Sequence, residues 1–390
     1  MMLSLQSCLG LGSPFKTITT SKGNQIGVNT DNQAAFHGKI YFTLDRNLYM
    51  LDGNKNLHQL TNGIDARDPA VSPDGSKIAF IIRYQDYSDL AIMPASGGAW
   101  QVLVSGAGQY IPNPPLTTPQ STAHWFAQPA WAPDGQHLLV LSDWQKDYWN
   151  FGLDPNIVQY DNPILDLEVF SLSLADPTNL QVVAYPTIGD GGLRDPAYRP
   201  GHSDQMLYTG YKYDAATGTH QHTGLYMEDP NAIANNPGVY HPGLPGNEVD
   251  PSVEITADQD DLMNLEPTFS PDGNTILYMR RNDASHMSLY TMPVPDGVTT
   301  NSSAQAAEQT AMQAYSQSTL LKTSTYISQP VWSPDGKQIL YMDNQNNSFD
   351  LWLANVTKNR NGTYNIQGDP MQLTTTSGHL DADSRPCWSN

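Results

Sequence analysis

Residues 328–342 read SQPVWSPDGKQILYM, and the chain says nearly the same thing five more times. DARDPAVSPDGSKIAF spans 65–80, AQPAWAPDGQHLLVL spans 127–141, RDPAYRPGHSDQMLY spans 194–208 and LEPTFSPDGNTILYM spans 265–279. A sixth copy, SRPCWSN at 384–390, breaks off at the end of the chain. The motif prolines are 60, 67, 71, 63 and 56 residues apart. A repeat of that length is one supersecondary unit, so it decides the architecture before any single side chain suggests chemistry.

Within a repeat the pattern reads as four antiparallel strands. A short strand carries the Pro-apolar-aromatic run, as in Pro330-Val331-Trp332. A Pro-Asp-Gly turn follows, with Pro preset for the second turn position and Gly able to take a positive φ. Alternating strands come next, as in Gln338–Met342 and Leu351–Leu353, and a short fourth such as Met371–Thr374. Such a unit cannot bury both faces alone, whereas six arranged radially can. The ends complement each other: residues 39–43, 48–51 and 57–61 read as three strands without a motif, and the last motif has no strands after it. The expected fold is therefore all-β, a six-bladed propeller of four-stranded antiparallel blades. Its ring is closed by N-terminal strands pairing with the C-terminal strand, which hides the open edges. Residues 1–35 read as a polar N-terminal tail and 36–390 as one propeller domain. Residues 301–317, rich in Ala, Gln and Glu, read as a short surface helix.

Composition agrees and excludes. The 30 glycines and 29 prolines among 390 residues suit many short strands joined by turns. A net charge of −20 excludes the basic stripe that nucleic acid needs and disfavours anionic lipid. No stretch is long and apolar enough to span a bilayer. Cys8 and Cys387 give neither a disulfide framework nor metal-ligand spacing. Leu5-Gln6-Ser7-Cys8 resembles the end of a bacterial lipoprotein signal, but the basic and apolar regions that should precede it are missing. A truncated start and a chance match both remain open.

The turn motifs Ser72-Pro73-Asp74-Gly75, Ala132-Pro133-Asp134-Gly135, Ser270-Pro271-Asp272-Gly273 and Ser333-Pro334-Asp335-Gly336 resemble the TolB-type propeller repeat. The likeness covers residues 38–390. The third copy departs from it with Arg199-Pro200-Gly201-His202, which implies a longer turn. The resemblance implies a six-bladed propeller of the periplasm or cell envelope that binds proteins or peptides rather than catalysing a reaction. A monomer is the separate expectation. TolB itself carries a further N-terminal domain that nothing here matches.

Innermost strands line a propeller channel, so the residues before the motif prolines should gather at one mouth. These are Asp68, Gln128, Asp195, Glu266, Gln329 and Arg385. Converging carboxylates, namely Asp68, Asp195 and Glu266, suit a hard cation such as Ca²⁺. The plainer reading is that they hydrogen-bond neighbouring strand ends, their charge balanced by Arg67, Arg194 and Arg385. The insertions 105–126 and 143–166 should rise over the same mouth. They carry Trp125, Trp144, Tyr148 and Trp149, which serve either as loop anchors or as contacts for a protein, peptide or glycan. The turn aspartates, repeated with the fold, should bond their own turns. The leading reading is a non-catalytic binding propeller. The rival is a metal-dependent lyase on acidic oligosaccharides, with His220 and His222 as metal ligands. The charge of −20 opposes that reading unless a local basic cleft exists. The chain has no Gly-x-Ser-x-Gly elbow, P-loop or dinucleotide motif.

Overall fold

The computed structural model describes residues 13–109, 122–144, 167–186, 191–213, 221–241, 249–257, 262–300, 303–345 and 347–390. Strands dominate. Each motif copy opens on an inner strand: Asp65–Val71, Phe126–Trp131, Leu193–Tyr198, Met263–Phe269, Ile327–Trp332 and Cys387–Ser389. In the first five copies this strand pairs antiparallel with the alternating strand after the turn. The sixth has no strand after it and pairs instead with Lys39–Leu44, through Cys387↔Tyr41, Trp388↔Ile40 and Ser389↔Lys39. That sheet continues with Asn47–Asp52 and Leu57–Gln59.

Strand alternation builds the core. Along the second strand of each copy, successive side chains point to opposite faces. Ile78 and Phe80 pack with Tyr41 and Leu48 of the sheet before, and Ala79 and Ile81 with Trp131 and Leu138 of the sheet after. Leu139 and Leu141 meet Met206 and Tyr208, and Leu207 meets Ile276 and Tyr278. Leu277 and Met279 meet Ile339 and Tyr341. Leu340 and Met342 pack with Ile40, Phe42 and Trp388. Among the described residues, the second strand of each of the five copies thus packs one face toward the unit before it and the other toward the unit after it, the last of them against Ile40 and Phe42.

The turns are held by their own side chains. In the first copy Gly75 N–H donates to Ser72 O (2.8 Å), Gly75 has φ +71°, and Asp74 Oδ1 accepts from Ser76 N–H (3.0 Å) and from Ser72 Oγ (2.6 Å). Asp134, Asp272 and Asp335 accept from the N–H of Gln136, Asn274 and Lys337 in the same way. These bonds hold Asp74 down at about 2, although it is fully exposed. The third copy places its glycine one position earlier. His202 N–H closes on Arg199 O (3.0 Å) with Gly201 at φ +76°, the third-position glycine of a type II turn, and residues 199–205 separate the two strands.

Three features differ from the sequence reading. The third and fourth units are one eight-stranded sheet, joined by a parallel bridge Thr223↔Met263. Part of the expected polar tail is structured: Phe15–Thr19 and Gln25–Asn29 form a hairpin whose second strand pairs with Thr374–Thr375. Ile26 and Val28 alternate with polar neighbours and are fully buried in the core beside Leu373, which tail composition alone did not reveal. Finally, a short helix at Ala232–Asn235 joins the expected one, which spans Ala304–Tyr315. Ser303 caps the longer helix by accepting from Ala306 N–H, and Ala307, Ala311 and Ala314 are buried beneath it.

Candidate functional site

Five of the six residues before the motif prolines adopt a left-handed backbone: Asp68 (φ +51°), Gln128 (+48°), Asp195 (+57°), Glu266 (+51°) and Gln329 (+51°). Each sits in a β-bulge, where the pairing of the inner strand with its neighbour shifts register. A non-glycine residue in this region is strained. What offsets the strain is a chain of hydrogen bonds from one inner strand to the next.

Asp68 accepts from Arg385 N–H (2.9 Å) through Oδ1 and from Gln128 N–H (3.1 Å) through Oδ2, while its own N–H donates to Ser384 Oγ (2.9 Å). Gln128 Oε1 accepts from Asp195 N–H (2.6 Å), and Gln128 Nε2 donates to Asp195 Oδ1 (2.9 Å). Asp195 Oδ2 accepts from Thr209 Oγ1 (3.0 Å), which itself accepts from Glu266 N–H (3.2 Å). Glu266 Oε2 accepts from Gln329 N–H. Arg385 reaches across to the carbonyl of Pro196 (3.2 Å). The sequence-predicted set is therefore brought together. Burial pushes the carboxyls of Asp68 and Glu266 up, and the charge of Asp195 adds to the rise at Glu266.

For a Ca²⁺ ion this arrangement offers little. Both oxygens of Asp68, both of Asp195 and Oε2 of Glu266 already accept from protein donors. Among the described residues no three His, Cys, Asp or Glu side chains form a group that could hold a metal ion. His222 faces Glu254 (3.4 Å) and Tyr226 OH (3.3 Å), and His220 lies outside the described residues.

Just outside this girdle, where the inner strands begin, charge is concentrated. Arg67, nearly buried, bonds Asp65 (2.6 Å) and Asp383 (2.6 Å) and lies 3.4 Å from Asp381. Arg46 N–H donates to Asp381 (2.6 Å). Arg83 closes the second strand directly opposite Asp65. Where the inner strands of the first three copies begin lies a cavity of about 370 Å³. Its polar and aromatic lining includes Arg67, Arg83, Arg194, Trp125, Asp143 and Asp383, with Asp68 and Phe126 beside them. Asp143 is buried and accepts from Trp125 N–H (2.8 Å). Arg83 and the cavity itself were missed from sequence. The available signal was register: Arg83 lies as many residues beyond the Pro-Asp-Gly turn as the mouth residue Asp65 lies before it.

Of the aromatic loop set, Trp144 packs on His124 (4.5 Å between ring centroids) and Phe126 (6.0 Å). Tyr148 and Trp149 lie outside the described residues. At the same end the turn after Arg83 presents Tyr84 stacked on Tyr87 (4.4 Å), with Tyr84 exposed.

No family model matches the chain, and no curated protein matches it. Among solved structures it is similar to TolB from Acinetobacter baumannii, at 16% identity and a TM-score of 0.55, over 90% of this chain and 66% of that one. It is similar to Kuenenia stuttgartiensis hydrazine synthase at 13% and 0.51, over 91% of this chain and 48% of that one. An oligogalacturonate lyase in complex with manganese aligns at 13% and 0.46, over 90% and 82%. The chain thus spans about two thirds of the TolB chain and about half of the hydrazine synthase chain. At these identities the likeness concerns the fold alone, and it supports a TolB-like β-propeller fold for this chain.

Proposed function

We propose that this chain is a six-bladed propeller closed by the pairing of its two ends. In this reading it works without catalysis in the cell envelope and binds a partner protein, peptide or glycan where the inner strands begin. The observation that carries the proposal is the division of labour at that mouth. The residues before the motif prolines are linked to one another by hydrogen bonds, partly through Thr209, which makes a stiff girdle. The cavity beside it keeps half-exposed arginine and tryptophan on strand ends, where a rigid scaffold can present them. The stacked Tyr84 and Tyr87 extend this face with aromatic surface of the kind partner sites use.

The reading is tested with a photo-crosslinking residue placed at position 84, at position 125, or at Asn361 on a turn at the far end of a sheet. Adducts from 84 and 125 but not from 361, in cells expressing the full chain, are expected. Adducts from 361 alone would reject the mouth as the binding face.

A further inference from the structure

The mouth cavity has a chemistry narrower than "partner", and the inference that follows rests on the mouth-binding reading above. The chain carries −20 overall and only nine arginines, yet Arg46, Arg67, Arg83, Arg194 and Arg385 all belong to this one end. Among the described residues no lysine lines the cavity. Their commitments differ. Arg67 is framework, held by three aspartates with its side chain 9% exposed. Arg83 is about half exposed, and among the described residues its one acidic contact, Asp383 Oδ2, is long at 3.5 Å. Arg194 donates to the Leu193 carbonyl (2.6 Å) and lies 5.9 Å from the centre of the Tyr211 ring. A guanidinium carries five N–H donors in a planar fork, so Arg83 and Arg194, which both line the cavity, keep donors beyond these bonds.

The acids nearby are occupied. Asp143 accepts from Trp125 N–H, Asp68 accepts from two backbone N–H groups, and Asp383 is bonded to Arg67. The remaining wall, Ile81, Trp125 and Leu167, is apolar. A fork that matches carboxylate geometry beside an apolar wall asks for a carboxylate attached to an apolar group. A sugar acid supplies the carboxylate but surrounds it with hydroxyls that this wall cannot satisfy. The volume, at the low end of the roughly 300–1,000 Å³ usual for ligand pockets, suits a chain end rather than a folded surface. We propose that the cavity takes the C-terminal carboxylate of a peptide whose last side chain is apolar, with Arg83 and Arg194 binding the carboxylate and Trp125 covering the side chain.

The test uses the immobilised full-length chain and two pools of N-acetyl tripeptides randomised at their last two positions. One pool carries free C-terminal acids and the other the matching amides. A uronic-acid trisaccharide is run beside them. Free acids ending in Leu, Ile, Phe or Met should be retained about tenfold or more over their amides. An Arg83→Gln/Arg194→Gln variant with an unchanged melting midpoint should lose that preference. Equal retention of acids and amides that Trp125→Ala abolishes would overturn the carboxylate and leave the mouth as a binding face. Retention of the trisaccharide in preference to every peptide would also overturn the inference. No retention of either pool or of the sugar would overturn the inference and remove the support that this cavity lends to mouth binding.

Discussion

Asp68 and Gln329 occupy the same position in the repeat with nearly the same backbone, φ +51° in both, yet they do different work. The Asp68 carboxylate receives two backbone N–H groups, from Gln128 in the next inner strand and from Arg385 just ahead of the last one, whereas Gln329 takes part in the girdle through its own N–H. Asp68→Ala therefore strands two buried donors and should cost about 2–4 kcal/mol, at about 1–3 kcal/mol for each unsatisfied group less relaxation. Gln329→Gly relieves left-handed strain while losing some chain entropy, so it should stay within about 1 kcal/mol of the parent. Denaturant melts of the two variants decide the point, and equal losses would show that backbone strain, not the acceptor, is what matters at these positions. A second residue-scale test concerns Glu228, fully buried beneath Tyr208 OH (3.1 Å). Burial first, then the charge of Asp250, raises its carboxyl well above the usual range. A raised folded value means the neutral form is favoured in the native state. Its contribution is complete below the ordinary carboxylate value near about 4 and drains away as pH climbs through the raised one. Glu228→Gln keeps an acceptor for Tyr208 and removes the proton, so its melting midpoint should gain on the parent as pH rises. Parallel midpoint curves would refute that.

At the scale of elements, much was legible and the reason is periodicity. The inner strand, the turn and the alternating second strand can be read from any copy, because positions such as Ile339, Leu340 and Tyr341 advertise two buried faces by being apolar on both. The turn aspartates could likewise be assigned to their own turns, since their partners lie two residues away. What could not be read was pairing at a distance. The hairpin of Phe15–Thr19 and Gln25–Asn29 looks polar because three of the five residues in its first strand are Lys or Thr. Its place in the fold is set by Thr374–Thr375, some 350 residues away. Register could place Arg83 opposite Asp65, but not in a cavity, since that depends on what the neighbouring sheets set beside it. The hairpin offers a sharp test at Gly27, where a Cβ would stand 2.1 Å from Thr375 Oγ1 and 3.3 Å from Phe15 Cβ. Gly27→Ala should cost about 1–3 kcal/mol by forcing the two strands apart. Amide exchange should rise first in residues 15–29 and 371–375, and a variant as stable as the parent would mean that the hairpin is not docked there.

For the whole molecule the question is whether the two ends act as one structural element. Trp388 is the junction: its strand pairs with Lys39–Leu44, its indole N–H donates to His37 O (2.8 Å), and its ring meets Phe36 edge-on at 5.8 Å. It also shares a core with Leu340 and Leu353, so removing the ring opens a gap between the last full repeat and the first strands at once. Nearby, Gly38 at φ +83° lets Ser389 O approach where a Cβ would be 2.0 Å away, so the ends are fitted closely on both sides of the seam. In an open stack of repeats each unit is supported by its neighbours alone, and damage at one end frays that end. In a closed ring every sheet has two neighbours, and opening the seam exposes two faces that nothing else covers. Trp388→Ala should thus cost about 3–5 kcal/mol and lower the midpoint of a single transition, with protection falling in the inner strands of all six copies. If exchange rose only in residues 36–59 and 380–390 while the strands around Pro196 and Pro267 kept their protection, the ends would be a local clasp and the ring reading would fail. The girdle argues for the cooperative outcome. Arg385 N–H, two residues from the seam strand, bonds Asp68, and from Asp68 hydrogen bonds run through Gln128, Asp195, Thr209 and Glu266 to Gln329, so a shift at the seam should pass along that chain of bonds.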